Sequence, residues 1–100
     1  MYKPVQQKLP LLQDMLRRHG VVEAYLFGSA AKGSIKRSSD VDFLVYFDPS
    51  LDYVSYTDNY FALLDGLRNL LKRDVDIVAA ETVKNPYFAQ SIDQSKIRIL

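Results

Sequence analysis

Leu26-Phe27-Gly28-Ser29-Ala30-Ala31-Lys32-Gly33 and, a few residues on, Ser38-Ser39-Asp40-Val41-Asp42-Phe43-Leu44-Val45 are the segments around which the rest of the chain can be ordered. The run from Val21 to Phe27 is rich in β-branched and aromatic residues and reads as a strand, which Gly28-Ser29 ends abruptly. Residues 30–39 carry Lys32, Lys36 and Arg37 but no acid, and a helical turn is expected before Gly33. Asp40 to Phe47 reads as a second strand, closed by Asp48-Pro49-Ser50.

Working outward, Val5, Leu9, Leu12 and Leu16 recur at helical spacing, with Pro10 either kinking that helix or opening it and Gly20 stopping it. Tyr56, Tyr60, Leu63, Leu64, Leu67, Leu70 and Leu71 form the apolar stripe of a long helix. Asp74 to Ala79 reads as a third strand, and Asn85-Pro86 opens a last helix from about Tyr87 to Ser95. The second and third strands are separated by about 26 residues, enough for a parallel crossover. The short link between the first two strands suits an antiparallel pair. In that topology the end of the first strand meets the starts of the other two at one sheet edge, where Gly28, Ser29, Asp40, Asp42 and Asp76 converge.

A chain of 100 residues makes one domain. The absence of cysteine excludes disulfides and thiolate metal sites, and a single histidine, His19, excludes a multi-histidine zinc site. Carboxylates remain, and these favour hard ions such as magnesium or manganese. With 13 Lys and Arg against 12 Asp and Glu the net charge is +1, so nucleic acid is not the expected main partner. No apolar run approaches the ~20 residues of a membrane span, and residues 1–7 lack a signal-peptide core, so a cytoplasmic protein is expected.

Asp40 and Asp42 are two apart on the expected second strand and therefore share a face. Two such charges repel, and one takes up a proton unless a cation intervenes. A pair of divalent ions ~3.5–4 Å apart can be bridged by this arrangement. Asp74 and Asp76 repeat the spacing, and either can supply a third carboxylate, although Asp76 is set deeper in the apolar run. The glycine of Gly28-Ser29 allows backbone amides to approach a phosphate, Ser29 can donate its hydroxyl, and Lys32, Lys36 and Arg37 can neutralise a triphosphate. Singly, each feature has a plain explanation: Asp-x-Asp is common at solvent-facing strand starts, and Gly-Ser is an ordinary strand stop. His19, beside Arg17 and Arg18, suits a contact with the helix C-terminal dipole. Tyr53, Tyr56 and Tyr60 suit packing of the long helix on the sheet with their hydroxyls at the rim, in preference to stacking on a base, a protein interface being the other use open to them, and Tyr87 and Phe88 share that ambiguity.

Taken together, Gly28-Ser29 followed by Asp40-Val41-Asp42 resembles the signature of the nucleotidyltransferase superfamily, and the two quoted strings are similar to its minimal nucleotidyltransferase (MNT) group. Val75-Asp76-Ile77-Val78 matches that group's later, carboxylate-bearing strand, and the likeness runs over essentially the whole chain. The resemblance implies an α+β, two-layer, polymerase β-like palm fold with a mixed sheet of three to four strands, formed by residues 1–100 as a single domain. It implies transfer of a nucleoside monophosphate from an NTP, with ATP the expected donor, to a hydroxyl acceptor, releasing pyrophosphate. Residue by residue, it implies that Gly28 and Ser29 hold the triphosphate, with Lys32 and Ser39 in the same nucleotide-binding set. Asp40 and Asp42 are implied to bind Mg2+ or Mn2+, and Asp76 to join the second metal and help deprotonate the acceptor.

Lys32 stands where the group commonly has arginine, which keeps the charge and loses the bidentate fork. Larger relatives add a domain that completes the substrate site, so a partner or a second copy of this chain is expected to complete it here. MNT proteins often pair with a small helical HEPN protein as antitoxin and toxin, which implies an antitoxin that modifies a partner hydroxyl with AMP. The alternative is a catalytically weak or inactive module that neutralises its partner by binding alone. A third reading, antibiotic nucleotidylation, is disfavoured by the missing acceptor-binding domain.

Overall fold

In the computed structural model, which describes residues 1–100, the β-branched run becomes strand β1 (Val21–Phe27) and pairs antiparallel with β2 (Val41–Phe47). Helix α4 (Tyr53–Leu71) then crosses over and returns the chain as β3 (Val75–Ala79), parallel to β2. A two-residue strand, β4 (Ile97–Arg98), pairs antiparallel with the outer edge of β1, so the sheet runs β3-β2-β1-β4. This is the mixed α+β sheet expected from the spacing of the segments. The fourth strand was not legible, because two residues carry no periodicity. Its anchor is Ile99, 3% exposed and part of the main core.

Alternation in β2 decides what each face carries. Val41, Phe43, Val45 and Phe47 point into the main core with Leu12 and Leu16 of α2 (Leu9–Arg18) and with Leu63, Leu67 and Leu71 of α4. Phe43, Leu12, Leu16, Leu63 and Leu67 are wholly shielded from solvent, and each such side chain contributes roughly 1.5–3 kcal/mol relative to an exposed position. The opposite face carries Asp42, Leu44 and Tyr46. Leu44 joins Phe27 and Ile92 in a smaller cluster under α5 (Pro86–Ser95).

The helix ends follow local chemistry. A short α1 (Lys3–Gln7) breaks from α2 at Lys8, so Pro10 falls in the first turn of a new helix. At the other end of α2, His19 Nδ1 lies 2.7 Å from the Met15 carbonyl oxygen, a C-terminal contact of the kind expected. The Asp52 carboxylate caps α4 by accepting from the Ser55 N–H at 2.7 Å. Asn85 Oδ1 caps α5 by accepting from Tyr87 N at 2.8 Å and Phe88 N at 3.3 Å. One expected boundary shifts with consequence: Asp40 lies one residue before β2 and outside its ladder, because the chain is still leaving the turn at Lys36–Ser39.

Candidate active site

The parallel register sets Asp42 opposite Asp76 on neighbouring strands, whose backbones lie about 4.8 Å apart, so both carboxylates stand on the same face. Asp40 follows the turn into β2 and is exposed, as is Asp76, whereas Asp42 is half-buried. Burial, then repulsion from Asp76 and from Asp40, pushes the Asp42 carboxyl up from 3.8 to about 6. Asp42 thus bears the charge of two neighbouring acids, with no cation of the protein among the groups acting on it. Asp74 is not part of this set. It lies before β3, its backbone carbonyl accepts the Val41 N–H at 3.0 Å, and its side chain borders a separate polar cleft beside Arg37, Arg68 and Lys72.

The three side chains do not close on one point as a three-carboxylate cage. Mg2+ does not require that: it keeps several waters and is usually held by one or two carboxylates plus substrate phosphates. An acid whose ionisation is resisted by two neighbouring charges, on an open face and with only oxygen donors, fits that kind of ion.

Gly28 opens the five-residue helix α3 (Gly28–Lys32) with φ +70°, in the left-handed region. A Cβ at this position would stand 2.7 Å from Asp42 Oδ2. The strand-to-helix junction therefore lies flush against the half-buried carboxylate. The Gly28 N–H donates to Ser95 Oγ at 3.0 Å, so this amide is already engaged by the last turn of α5. Ser29 is half-exposed beside it, and its carbonyl accepts the Ser34 N–H at 3.0 Å. Lys32 is exposed at the far end of α3. Ser39 is occupied in the turn, where its Oγ accepts from Lys36 N at 3.2 Å. Arg37 borders the cleft beside Asp74. The structure thus gathers Gly28, Ser29, Asp40, Asp42 and Asp76, while Ser39 and Lys32 sit at the margin. Ser95 and Arg73, which ties down the turn before Asp40, carried no signal in the sequence, because their partners lie far away along the chain.

The tyrosines divide. Tyr56 packs edge-on against Phe47, with centroids 4.9 Å apart, and burial, then Glu81, pushes its hydroxyl up to about 12. Tyr60 donates to the Ile77 carbonyl at 2.8 Å, and burial, followed by the Asp76 charge, raises its pKa. These two follow the packing expected of them. Tyr53 does not: at 82% exposed it stands on the first turn of α4, ahead of the part of the helix that covers the sheet. Tyr87 is equally exposed, while Phe88 meets Phe27 edge-on at 6.1 Å.

Comparison with known proteins agrees with this architecture. Residues 11–100 match the family model described as polymerase beta, nucleotidyltransferase. MJ0128 of Methanocaldococcus jannaschii, named as a candidate protein adenylyltransferase, is 35% identical over 96 residues, covering 88% of this chain and 94% of that protein. A solved structure of a candidate minimal nucleotidyltransferase superposes with a TM-score of 0.77 at 28% identity, covering 97% of this chain and 95% of the other. A chain of the solved complex of a tri-AMPylated Shewanella oneidensis HEPN toxin with an MNT antitoxin shares the fold, with a TM-score of 0.66 at 22% identity, covering 95% of this chain and 71% of that one.

Proposed function

The chain belongs to the polymerase β nucleotidyltransferase family and is a nucleotidyltransferase; from that premise we propose that it transfers AMP from ATP to a hydroxyl of a HEPN-type protein partner, with divalent metal held by Asp40, Asp42 and Asp76. The observation that carries the reading is the register pairing of Asp42 with Asp76 directly beside Gly28. Support for the donor and acceptor comes from the name of the M. jannaschii relative and from the AMP-modified HEPN toxin held by an MNT antitoxin.

Bound Mg2+ would supply charge neutralisation at the attacking and leaving oxygens. The chain's own residues do the rest. Asp42, held half-buried against Gly28, and Asp40 would hold that ion beside the donor's phosphates. Ser29 offers its hydroxyl to a phosphate oxygen, and Lys32 adds long-range positive charge. With the Gly28 N–H taken by Ser95 Oγ, the remaining cradle falls to the amides that follow it at the start of α3, a helix too short for its dipole to contribute much. Asp76, exposed at the strand start, accepts the acceptor's proton as the acceptor oxygen bonds to the α-phosphorus. The bond from that phosphorus to the bridging oxygen breaks in the same displacement, and pyrophosphate leaves. An acid set on an open face, not in a closed pocket, suits a macromolecular acceptor that brings the missing wall with it.

The test is incubation of the chain with α-labelled ATP, Mg2+ and a HEPN-type protein as acceptor. Label is expected on the partner with wild type and none with Asp42→Ala. Suppression of the partner without any transferred label would establish the contact-only antitoxin instead.

A further inference from the structure

Arg73 spends its guanidinium on the backbone that leads into Asp40. Nε donates to the Ser39 carbonyl at 3.2 Å, Nη2 donates to the Lys36 carbonyl, and Nη1 donates to the Tyr2 hydroxyl at 3.3 Å. The guanidinium carbon also lies 5.4 Å from the centre of the Tyr2 ring. Neither ion pair of the molecule uses Arg73, so its role is to bridge acceptors rather than to neutralise an acid.

The segment it holds needs holding. Lys36–Ser39 is a turn closed by Ser39 N to Lys36 O at 3.0 Å and by Lys36 N to Ser39 Oγ at 3.2 Å. Asp40 comes next, outside any ladder, and Val41 is then anchored by its N–H to the Asp74 carbonyl at 3.0 Å. Asp40 is therefore suspended between two fixed points, Ser39 and Val41, and both are tied to the dipeptide Arg73-Asp74. Fixing an unladdered residue costs backbone entropy, which these anchors offset. Tyr2 carries the brace further, because its N–H donates to the Ala30 carbonyl at 2.8 Å, within the helix that Gly28 opens. One side chain thus ties the Asp40 turn to the Gly28-Ser29 helix through the N-terminal segment. The planar fork of arginine reaches three acceptors in fixed directions, which a lysine ammonium on a flexible stem does not reproduce.

We propose that Arg73 is a positioning residue that, by clamping Lys36 O and Ser39 O, fixes the Asp40 carboxylate in its metal-binding place beside Asp42. This rests on the metal-site reading above. The test compares wild type, Arg73→Lys, Arg73→Met, Tyr2→Phe and Asp42→Asn by two readouts: amide hydrogen exchange, and Mn2+ binding followed by the free-ion EPR signal. Arg73→Met and Arg73→Lys are expected to speed exchange at Ser39 and Val41 about tenfold while β1 and α4 keep their protection. Both are expected to weaken Mn2+ binding about tenfold, as loss of an outer-shell partner does. Tyr2→Phe, which removes one acceptor, should loosen the same turn to a smaller degree and keeps the test open if Arg73→Met does not fold. Wild-type exchange in the turn, or Mn2+ affinity within about twofold of wild type in Arg73→Lys, would overturn the proposal. If Asp42→Asn binds Mn2+ like wild type, the metal-site reading falls instead, and the exchange data then report the clamp alone.

Discussion

Gly28 and Asp42 touch so closely that a side chain on the first would overlap the carboxylate of the second: an added Cβ would lie 2.7 Å from Asp42 Oδ2, on a backbone already at φ +70°. Gly28→Ala therefore meets two penalties, left-handed strain of roughly 1–2 kcal/mol and displacement of the half-buried acid. A fall in Tm is expected, along with a loss of nucleotidyl transfer on the order of a hundredfold, as for an ångström-scale misplacement in a reacting site. Calorimetry and single-turnover labelling check both.

Asp42→Asn should separate stability from activity. In the metal-free protein the Asp42 pKa is raised from 3.8 to about 6, so the folded state holds this proton more tightly than the unfolded chain does. Its stabilising share is complete below about pH 4 and is lost as pH rises through about 6. The group is only half-buried, so screening reduces the effect to on the order of 1 kcal/mol. In EDTA at pH 7, Asp42→Asn is expected to melt above wild type, and the fall in wild-type Tm between pH 4 and 7 should flatten in the variant. Transfer activity should disappear. A variant that melts below wild type at pH 7 would contradict the account of Asp42 as a strained acid.

Asp76 and Asp74 are expected to behave oppositely. Asp76 is the register partner of Asp42, whereas Asp74 contributes its backbone carbonyl to Val41 and turns its side chain to another cleft. Asp76→Asn should lower transfer by about two to four orders of magnitude, the range for loss of a group that moves a proton. Asp74→Asn, which preserves the carbonyl, should stay within about threefold of wild type. Parallel labelling time courses decide between them.

Asn85→Ala probes the fold apart from the chemistry. Its side chain accepts from two amides at the start of α5, the helix that covers Leu44 and delivers Ser95 to Gly28. Losing the cap should cost about 1 kcal/mol and lower Tm by about 4–8 °C. Activity per folded molecule should fall only as α5 frays and releases Ser95. Thermal melts run beside activity at 15 °C and 37 °C separate the two effects.

Much of this was legible in order along the chain. Val21–Phe27 and Val75–Ala79 read as strands because β-branched and aromatic residues cluster there, and α4 read as a helix because its leucines recur at helical spacing. The links between β1 and β2 and between β2 and β3 carried their handed choices in their lengths. What local composition does not show is short or non-local. β4 has two residues, too few to show a period. Asp40 read as strand because Val41 follows it, yet a residue enters a ladder only where a neighbour offers partners. Tyr53 was grouped with Tyr56 and Tyr60, although only the latter two reach the sheet from α4.

The amino-acid sequence by itself determined the element order, the family, and the set of acids from which a metal site can be built, because these depend on local composition and spacing. The choice of Asp76 over Asp74 as the neighbour of Asp42 was decided only by the tertiary structure, since the two acids have the same parity along the chain and only the β2–β3 register, which a two-residue slip would change, sets Asp76 opposite Asp42. The same holds for Gly28, whose need for a bare Cα comes from a carboxylate on another strand, and for Arg73, whose three acceptors come together only once the N-terminus, the turn and β3 are folded side by side.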